Sequence, residues 1–451
     1  MSDTICAIST AAGQGGVGIV RISGPQALEL GSLICQKASL KPRFATRAQF
    51  GIGTPIDDGI ALYFPGPNSF TGEDVVELQG HGSPIALNAL LQALCEQGAR
   101  LAEPGEFSKR AFLNDQLDLA QAEAISDLIA ANSERAARSA VRALRGEFST
   151  RIETLAKAMI ELRVWVEAAL DFPEEEIDFL ADEALAARLD HVRSLMDDIL
   201  AKATQGALLR NGAKVVLMGR PNAGKSSLLN YLADEELAIV TDIPGTTRDL
   251  LSTQINLHGV PLHITDTAGL RETTDPVEQE GVRRARKALS EADLAILIAD
   301  INSPEHMDEL SEELGRDYPQ VPILKVFNKL DQLETHVSKK QDLFLPLDPS
   351  ALQVSIKQAI GLEQLKDQLA QLVGIDQSES DVFIARTRHL DALRRARQHF
   401  DWAEAQLLQY AAGELMAEEL LQAHHALGEI TGKLSADDLL GEIFSSFCIG
   451  K

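Results

Sequence analysis

Gly219-Arg220-Pro221-Asn222-Ala223-Gly224-Lys225-Ser226 follows the apolar run 214–218 and precedes Ser227-Leu228-Leu229-Asn230. The order reads as strand, glycine-rich loop, helix. In that context the stretch predicts a phosphate-binding loop. Backbone N–H groups at a helix start wrap phosphates, Lys225 reaches the outer ones, and the Ser226 hydroxyl takes Mg²⁺. An ordinary strand-to-helix turn shares the bare pattern. Three further motifs downstream, in order, argue against that reading.

The first of these is Thr241-Asp242-Ile243-Pro244-Gly245-Thr246-Thr247-Arg248-Asp249. A threonine here has the hydroxyl that completes a Mg²⁺ shell and the backbone that senses a γ-phosphate. Runs 251–257 and 260–265, separated by His258-Gly259, read as a hairpin, and the second ends in Asp266-Thr267-Ala268-Gly269. An acid at a strand end can hold Mg²⁺ through water, and the glycine N–H can report the γ-phosphate. The apolar strand 294–299 ends at Asp300, and strand 323–327 runs into Asn328-Lys329-Leu330-Asp331. An aspartate there accepts both N1–H and the exocyclic amine of guanine, an arrangement adenine does not offer. Ser355-Ile356-Lys357 closes the set as a loop packing on the base through backbone, with isoleucine where alanine is usual. These motifs predict a guanine-nucleotide site. The place where many GTPases carry a water-orienting glutamine is Leu270, which cannot hydrogen-bond water, and the acidic segment beyond offers Glu272, Asp275, Glu278 and Glu280. Periodicity does not choose among them.

The chain around this site has 451 residues, enough for two to four domains. Apolar residues make up 45% and charged ones 24%, as in ordinary globular proteins. Lys plus Arg number 42 against 67 Asp plus Glu, a formal charge of −25, which argues against a general nucleic-acid coat but not against one local basic face. Cys6, Cys35, Cys95 and Cys448 are far apart with no CxxC, so neither a zinc site nor a disulfide scaffold is suggested. No stretch approaches a membrane span, and a reducing cytoplasm is the expected compartment.

Ahead of the site, 5–8 and 17–22 read as strands joined by Gly13-Gln14-Gly15-Gly16-Val17-Gly18. That loop matches G-x-G-x-x-G, yet its last glycine opens another strand and not a helix, so a dinucleotide fold is rejected. Strands at 59–64 and 74–79, and helices at 26–35 and 84–97, give an α+β domain. Arg21 and Glu77 taken singly are exposed strand residues or a structural ion pair, and His81 is a loop residue. From 117 to 170 there is no proline and one glycine, Gly146, with apolar residues at three and four. Arg135, Arg138, Arg142 and Arg145 share one helix face, a solvated stripe or an RNA phosphate track. A helix over 182–203 follows, and helical periodicity resumes at 388–411 and 416–430. The expected architecture is multidomain, part α/β and part all-α: an N-terminal α+β domain over 1–116, then a helical domain in two parts, 117–210 and 376–451, interrupted by an inserted Ras-like P-loop G domain over 211–375.

Several segments carry a resemblance: Gly66-Pro67-Asn68-Ser69-Phe70-Thr71-Gly72-Glu73-Asp74, Pro104-Gly105-Glu106-Phe107, Asp171-Phe172-Pro173, Gly245-Thr246-Thr247-Arg248-Asp249 and Cys448-Ile449-Gly450-Lys451. With them the whole chain resembles the MnmE (TrmE) family of bacterial tRNA-modification GTPases. The resemblance implies a homodimer joined through N-terminal domains that bind 5-formyl- or 5,10-methylene-tetrahydrofolate, with Arg21, Glu77, Gln116 and Lys451 at folate-contact positions. Gln116 stands where the family commonly has a basic residue, and Cys448 matches a cysteine near the folate. Also implied is K⁺-dependent GTP hydrolysis, with Asn222, Thr241, Ile243 and Thr246 as potassium ligands, Ser226 and Thr247 on Mg²⁺, and Glu278 positioning water. The implied partners are tRNA and a FAD-containing MnmG (GidA) flavoprotein, in a heterotetramer that modifies C5 of the wobble uridine. Arg394, Arg395 and Arg397 join the arginine face as contacts for either partner.

Two other readings compete. A ribosome-assembly GTPase would share every nucleotide motif, but it predicts a second phosphate loop or a KH-type Gly-x-x-Gly module, and neither is present in the sequence. A dimeric scaffold with vestigial folate binding finds its one support in Gln116.

Overall fold

The computed structural model describes residues 3–171, 183–235, 252–266, 283, 286–332, 351–375, 382–410, 412–433, 437–445, 447 and 450. Contacts divide the chain into two compact units: 1–129, 141–197 and 391–451 form the first, and 130–140 with 198–390 the second.

The first unit begins with a mixed sheet in the order β3-β4-β5-β2-β1-β6. Its strands are β1 Ile5–Ile8, β2 Gly15–Ser23, β3 Thr46–Phe50, β4 Asp57–Phe64, β5 Val75–Gly82 and β6 Arg100–Leu101. Alternation decides which side chains go inside. Val20 and Ile22 of β2 are buried with Val76 and Leu78 of β5, under helices α1 Ala27–Ile34 and α2 Pro84–Glu96. Arg21 and Glu77, one step out of phase, are directly opposed on the other face. Helix α2 starts at Ser83, whose hydroxyl accepts from the Ala86 N–H, with Pro84 in the first turn.

The structure corrects two local readings. The glycines at 15, 16 and 18 lie inside β2, Gly15 and Gly18 paired with β5, so the rejection of a dinucleotide loop has a direct cause. His81 is not in a loop: it lies near the end of β5, where its Nδ1 pairs with Asp57 Oδ1 at 2.7 Å. Helix α3 Glu106–Leu113 and strands β3 and β6 carry too few apolar repeats to be read from sequence.

The helical part of this unit comprises α4 Leu119–Ile129, α5 Glu134–Leu144, α6 Glu147–Asp171 and α7 Glu183–Asn211, of which α5 and α7 contribute to both units. The periodic positions Ile152, Leu155, Met159, Leu162 and Val166 are all buried, each stabilising the fold by ~1.5–3 kcal/mol. Late in the chain, Phe444 and Phe447 join Leu119 and Ala122 in one apolar cluster.

The second unit is a sheet ordered β12-β11-β10-β7-β9-β8. Its strands are β7 Ala213–Met218, β8 Ser252–Leu257, β9 Val260–Asp266, β10 Leu294–Asp300, β11 Ile323–Asn328 and β12 Leu352–Gln353. All pairs are parallel except β8 with β9. Such a sheet needs apolar cover on both faces. One layer holds Val215, Leu217, Ile296 and Ile298, and the opposite layer Val216, Met218, Ala295 and Leu297. Helices α8 Lys225–Glu235, α9 Glu305–Asp317 and α10 Leu362–Leu372 belong to this unit. The neighbours of β7 are β9 and β10, so the connections diverge on either side of it. The carboxyl ends of strands at such a switch point are where α/β folds bind ligands. Beyond the unit, α11 Thr387–Tyr410, α12 Gly413–Thr431 and α13 Asp437–Ser445 complete the described helices.

Candidate nucleotide site and N-terminal ligand site

At the carboxyl end of β7 the chain turns through Asn222 and Gly224, both with positive φ, into α8 at Lys225. A Cβ on Gly224 would stand 2.2 Å from Asn328 Nδ2 at a φ of +111°, so only glycine lets the loop pass. That close approach has a purpose. Asn328 Nδ2 donates to the Ala223 carbonyl (2.9 Å), while its Oδ1 accepts from the Ile356 N–H (3.2 Å). A cavity of about 600 Å³ opens between these loops. It is lined by Asn222, Gly224, Lys225, Ser226 and Ser227 on one side and by Asn328, Lys329, Asp331, Ile356 and Lys357 on the other. Two sequence motifs more than a hundred residues apart thus face one space. Ile356 belongs to this wall, its Cδ1 within reach of the Gly224 position.

Polar groups within it are pre-set. Lys225 is buried and its ammonium donates to the carbonyls of Gly219 (2.8 Å) and Arg220 (3.3 Å). Asp331 Oδ1 accepts from Ser355 Oγ at 2.7 Å, which fixes the carboxylate plane. Asp266, at the end of β9, has a buried Oδ1 with no hydrogen-bond partner among the described residues. Burial pushes its carboxyl above the usual range, and the nearby Lys225 charge only partly offsets this. An orphaned carboxylate oxygen near the phosphate-loop lysine suits a hard, hydrated cation such as Mg²⁺. Thr241, Asp242, Ile243, Pro244, Gly245, Thr246, Thr247, Thr267, Ala268, Gly269 and Glu278 lie outside the described residues.

The second candidate site is on the open face of the N-terminal sheet. Arg21 Nε and Nη2 both donate to Glu77 Oε1, at 3.0 and 2.9 Å. The guanidinium also lies over the rings of Phe70 and Phe107, 5.2 and 5.7 Å from their centroids. Phe70 is held by the segment 66–74, where Thr71 and Glu73 both hydrogen-bond Ser23 Oγ and the Thr71 carbonyl accepts from Asn114 Nδ2. Gln116 donates from Nε2 to the Asn114 carbonyl (3.0 Å) and stands beside Gly72. Under this segment the buried Arg110 donates to Glu73, Glu106 and Asp3. Gly450 packs on β1: a Cβ there would stand 2.2 Å from the Ile8 carbonyl oxygen, at φ +93°. Cys448 and Lys451 lie outside the described residues.

A profile of the MnmE helical domain matches residues 119–448, and one of the GTP-binding protein TrmE N-terminus matches 4–116. The tRNA modification GTPase MnmE of Ectopseudomonas mendocina (strain ymp) is 54% identical over 459 residues, covering 100% of this chain and 99% of that one. The MnmE of Pseudomonas putida (strain GB-1) is 54% identical over 457 residues with the same coverage. The chain belongs to the MnmE family of tRNA modification GTPases. It is a GTP-hydrolysing enzyme. A solved G domain of the T. maritima FeoB iron transporter is 25% identical over 36% of this chain and 98% of that one, with a TM-score of 0.27.

Sequence reading named Lys329 with Asn328 and Asp331 but missed its partner: Lys329 has a left-handed backbone (φ 70°) and its ammonium donates to Asp300 Oδ2 at 2.7 Å. Asp300 is in turn fixed by the N–H and side-chain amide of Asn302. Its burial works against ionisation, but these bonds outweigh that and hold the carboxyl below its usual range. Asp300 was visible as the acid that ends an apolar strand and Lys329 as part of its own motif, but nothing local paired the two. Phe70 and Phe107 stood inside the family-matching segments without a role. The basic residues singled out are largely engaged within the chain. Arg138 pairs with Glu134, Arg142 with Glu147, Arg395 with Asp391 and Glu429, and Arg397 with Asp197 and Asp401. Arg145 follows the end of α5. Among the described residues no helix is long and apolar enough to cross a membrane, and no group of three or more His, Cys, Asp or Glu could hold a metal.

Proposed function

We propose that this MnmE-family GTPase hydrolyses GTP in a K⁺-dependent manner. With a FAD-containing MnmG (GidA) partner in a heterotetramer, it adds an aminomethyl or carboxymethylaminomethyl group to C5 of the wobble uridine of certain tRNAs, in the cytoplasm. The carbon comes from a tetrahydrofolate derivative, 5-formyl or 5,10-methylene. In this reading 1–116 is the folate and dimerisation domain of a homodimer, 211–375 the G domain, and 117–210 with 376–451 the helical domain.

The observation that carries the reading is Arg21. Its guanidinium gives Nε and Nη2 to Glu77 and lies over two phenyl rings, and among the described residues its Nη1 has no hydrogen-bond partner and would meet a ligand carboxylate beside those rings. A folate carries a carboxylate tail and a flat ring, so the residues present fit the group. Gln116 and Lys451 would add neutral and cationic contacts, and Cys448 would lie nearby. When bound, the folate supplies the one-carbon unit.

On the nucleotide side, Asp331 would accept from the guanine N1–H and amine, with Ile356 and Lys357 against the base. Lys225 would exchange its carbonyl partners for phosphate oxygens. Ser226 and Thr247 would ligate Mg²⁺, with Asp266 behind it. Asn222, Thr241, Ile243 and Thr246 would hold K⁺, a cation that stabilises phosphate charge where other GTPases use an arginine. Glu278 would orient the attacking water.

The test is GTP hydrolysis by the purified protein in K⁺ and in Na⁺ at matched ionic strength, beside a Glu278→Ala variant. Strong stimulation by K⁺ that disappears in the variant is the expected result. Equal rates in both salts would remove the potassium assignment, and an unaffected variant would remove Glu278 from the site.

A further inference from the structure

Cys6 lies in the middle of β1, fully buried, and Cys95 lies in the last turn of α2, partly exposed. Their Sγ atoms are 4.0 Å apart. The two thiols share one apolar cluster, Cys6 within it and Cys95 packed against it. They come from elements 89 residues apart in sequence that meet because α2 covers β1 and β2. A disulfide needs the sulfurs at about 2.05 Å. The remaining gap is of a size that side-chain rotation and a small shift of the last turn of α2 can close.

We propose that Cys6 and Cys95 are a modification site, joined into an intramolecular disulfide when the protein meets a small organic disulfide. Access and reactivity set the order of events. Cys95 is the thiol that solvent reaches. Burial, with the neighbouring Cys95 sulfur, pushes the Cys6 thiol up to about 12, so Cys6 is a poor first nucleophile. The Cys95 thiolate attacks the small disulfide, forms a mixed disulfide, and expels one small thiol. Cys6 then gives up its proton and attacks the Cys95 sulfur, already within van der Waals reach, and the second small thiol leaves. The net change is two protein thiols oxidised to one S–S bond and one small disulfide reduced to two thiols. In a reducing compartment such a bond is reversible. It ties α2 to the strand whose Ala7 is paired with Arg21 across β1 and β2, on the inner side of the proposed ligand face. Cys35, equally buried and also pushed up to about 12, serves as an internal control.

The experiment incubates the full chain with oxidised glutathione, alkylates the remaining thiols, and maps the peptides by mass spectrometry without reduction. The expected product is a Cys6–Cys95 linked pair, reversed by a dithiol reductant, with Cys35 alkylated only after denaturation. In Cys6→Ala a glutathione adduct persists on Cys95, and in Cys95→Ser, changed at a partly exposed position, Cys6 stays unmodified. A wild-type adduct that remains on Cys95 without resolving would overturn the proposal. So would linkage of Cys95 to Cys35 or Cys448, or no reaction of the folded chain under conditions that oxidise the denatured one.

Discussion

The side-chain amide of Asn328 bonds in two directions at once, to the Ala223 carbonyl at 2.9 Å and from the Ile356 N–H at 3.2 Å. One buried residue therefore sets the spacing between the phosphate loop and the loop against the base. Replacing it by alanine leaves a buried carbonyl without a partner, about 1–3 kcal/mol, and a part-buried N–H that costs less. The expected result for Asn328→Ala is GDP affinity lower by roughly 10- to 100-fold in a fluorescent-nucleotide titration. Wild-type affinity in that variant would show that the two loops keep their spacing by other means.

Asp331 Oδ1 accepts from Ser355 Oγ, and the proposed function gives this carboxylate the guanine base. Asp331→Asn presents a donor where guanine also donates, leaving buried polar groups unpaired. GDP affinity is expected to fall on the order of 10³-fold or more, with xanthosine diphosphate gaining relative to it. Competition between the two nucleotides measures the exchange directly.

Asp266 gives a stability effect whose sign is unusual for a carboxylate. Its folded-state value is raised by burial, so the ionised group costs stability above that value. The cost is relieved as pH falls through it towards the ordinary 3.8. Asp266→Asn should therefore raise the melting temperature of the nucleotide-free protein at neutral pH and flatten this part of the pH profile. Mg²⁺-dependent hydrolysis should be lost in the same variant. Differential scanning calorimetry without nucleotide separates the two effects.

Arg110 works in the opposite sense. Burial pushes the Glu106 carboxyl up, but hydrogen bonds from Arg100, the Glu103 N–H and Arg110 outweigh it and leave the value lowered. The stability this carboxylate contributes is complete above its ordinary 4.5 and is lost as pH falls through the folded value. Arg110→Ala removes the buried partner of Glu73 and Glu106 and is expected to cost about 3–5 kcal/mol. Chemical denaturation at pH 7 and at successively lower pH would register both the loss and a shallower acid decline in Glu106→Gln.

Phe70 is the more exposed of the two rings flanking Arg21. Phe70→Ala removes a cation–π contact of about 0.5–2 kcal/mol and one wall of the proposed ligand site. Calorimetric titration with 5-formyl-tetrahydrofolate is expected to show affinity lower by roughly 2- to 30-fold, with Phe70→Leu between the two. GTP binding should be unchanged, since Phe70 is in the first unit.

What could be read from the sequence depended on how local its physics is. The turn from β7 into α8 was legible because strand, glycines, lysine and helix are contiguous, and Asp331 because it sits in a short motif at the end of an apolar strand. The buried spacing from Ile152 to Val166 was legible because a helix repeats its environment every turn. Arg21 and Glu77 were not legible as a pair. They are 56 residues apart, and only the β2–β5 register opposes them. The same holds for Lys329 with Asp300, and for His81, whose partner Asp57 comes from the neighbouring strand. The arginines of α5 looked like a stripe because spacing shows the face and not the acids beside it.

Gly450 rests on the Ile8 carbonyl, so neighbours in space are made far apart in time. At roughly 5–20 residues per second, one is in place about 20–90 s before the other emerges. The strands through β6 and the cavity between the 222–227 and 328–331 loops can form on the ribosome during that interval. The surroundings of β1 cannot be completed until Gly450 has left it. A nascent chain stalled past residue 375 would then display that cavity while the Ile8 end of β1 still lacked its last neighbour.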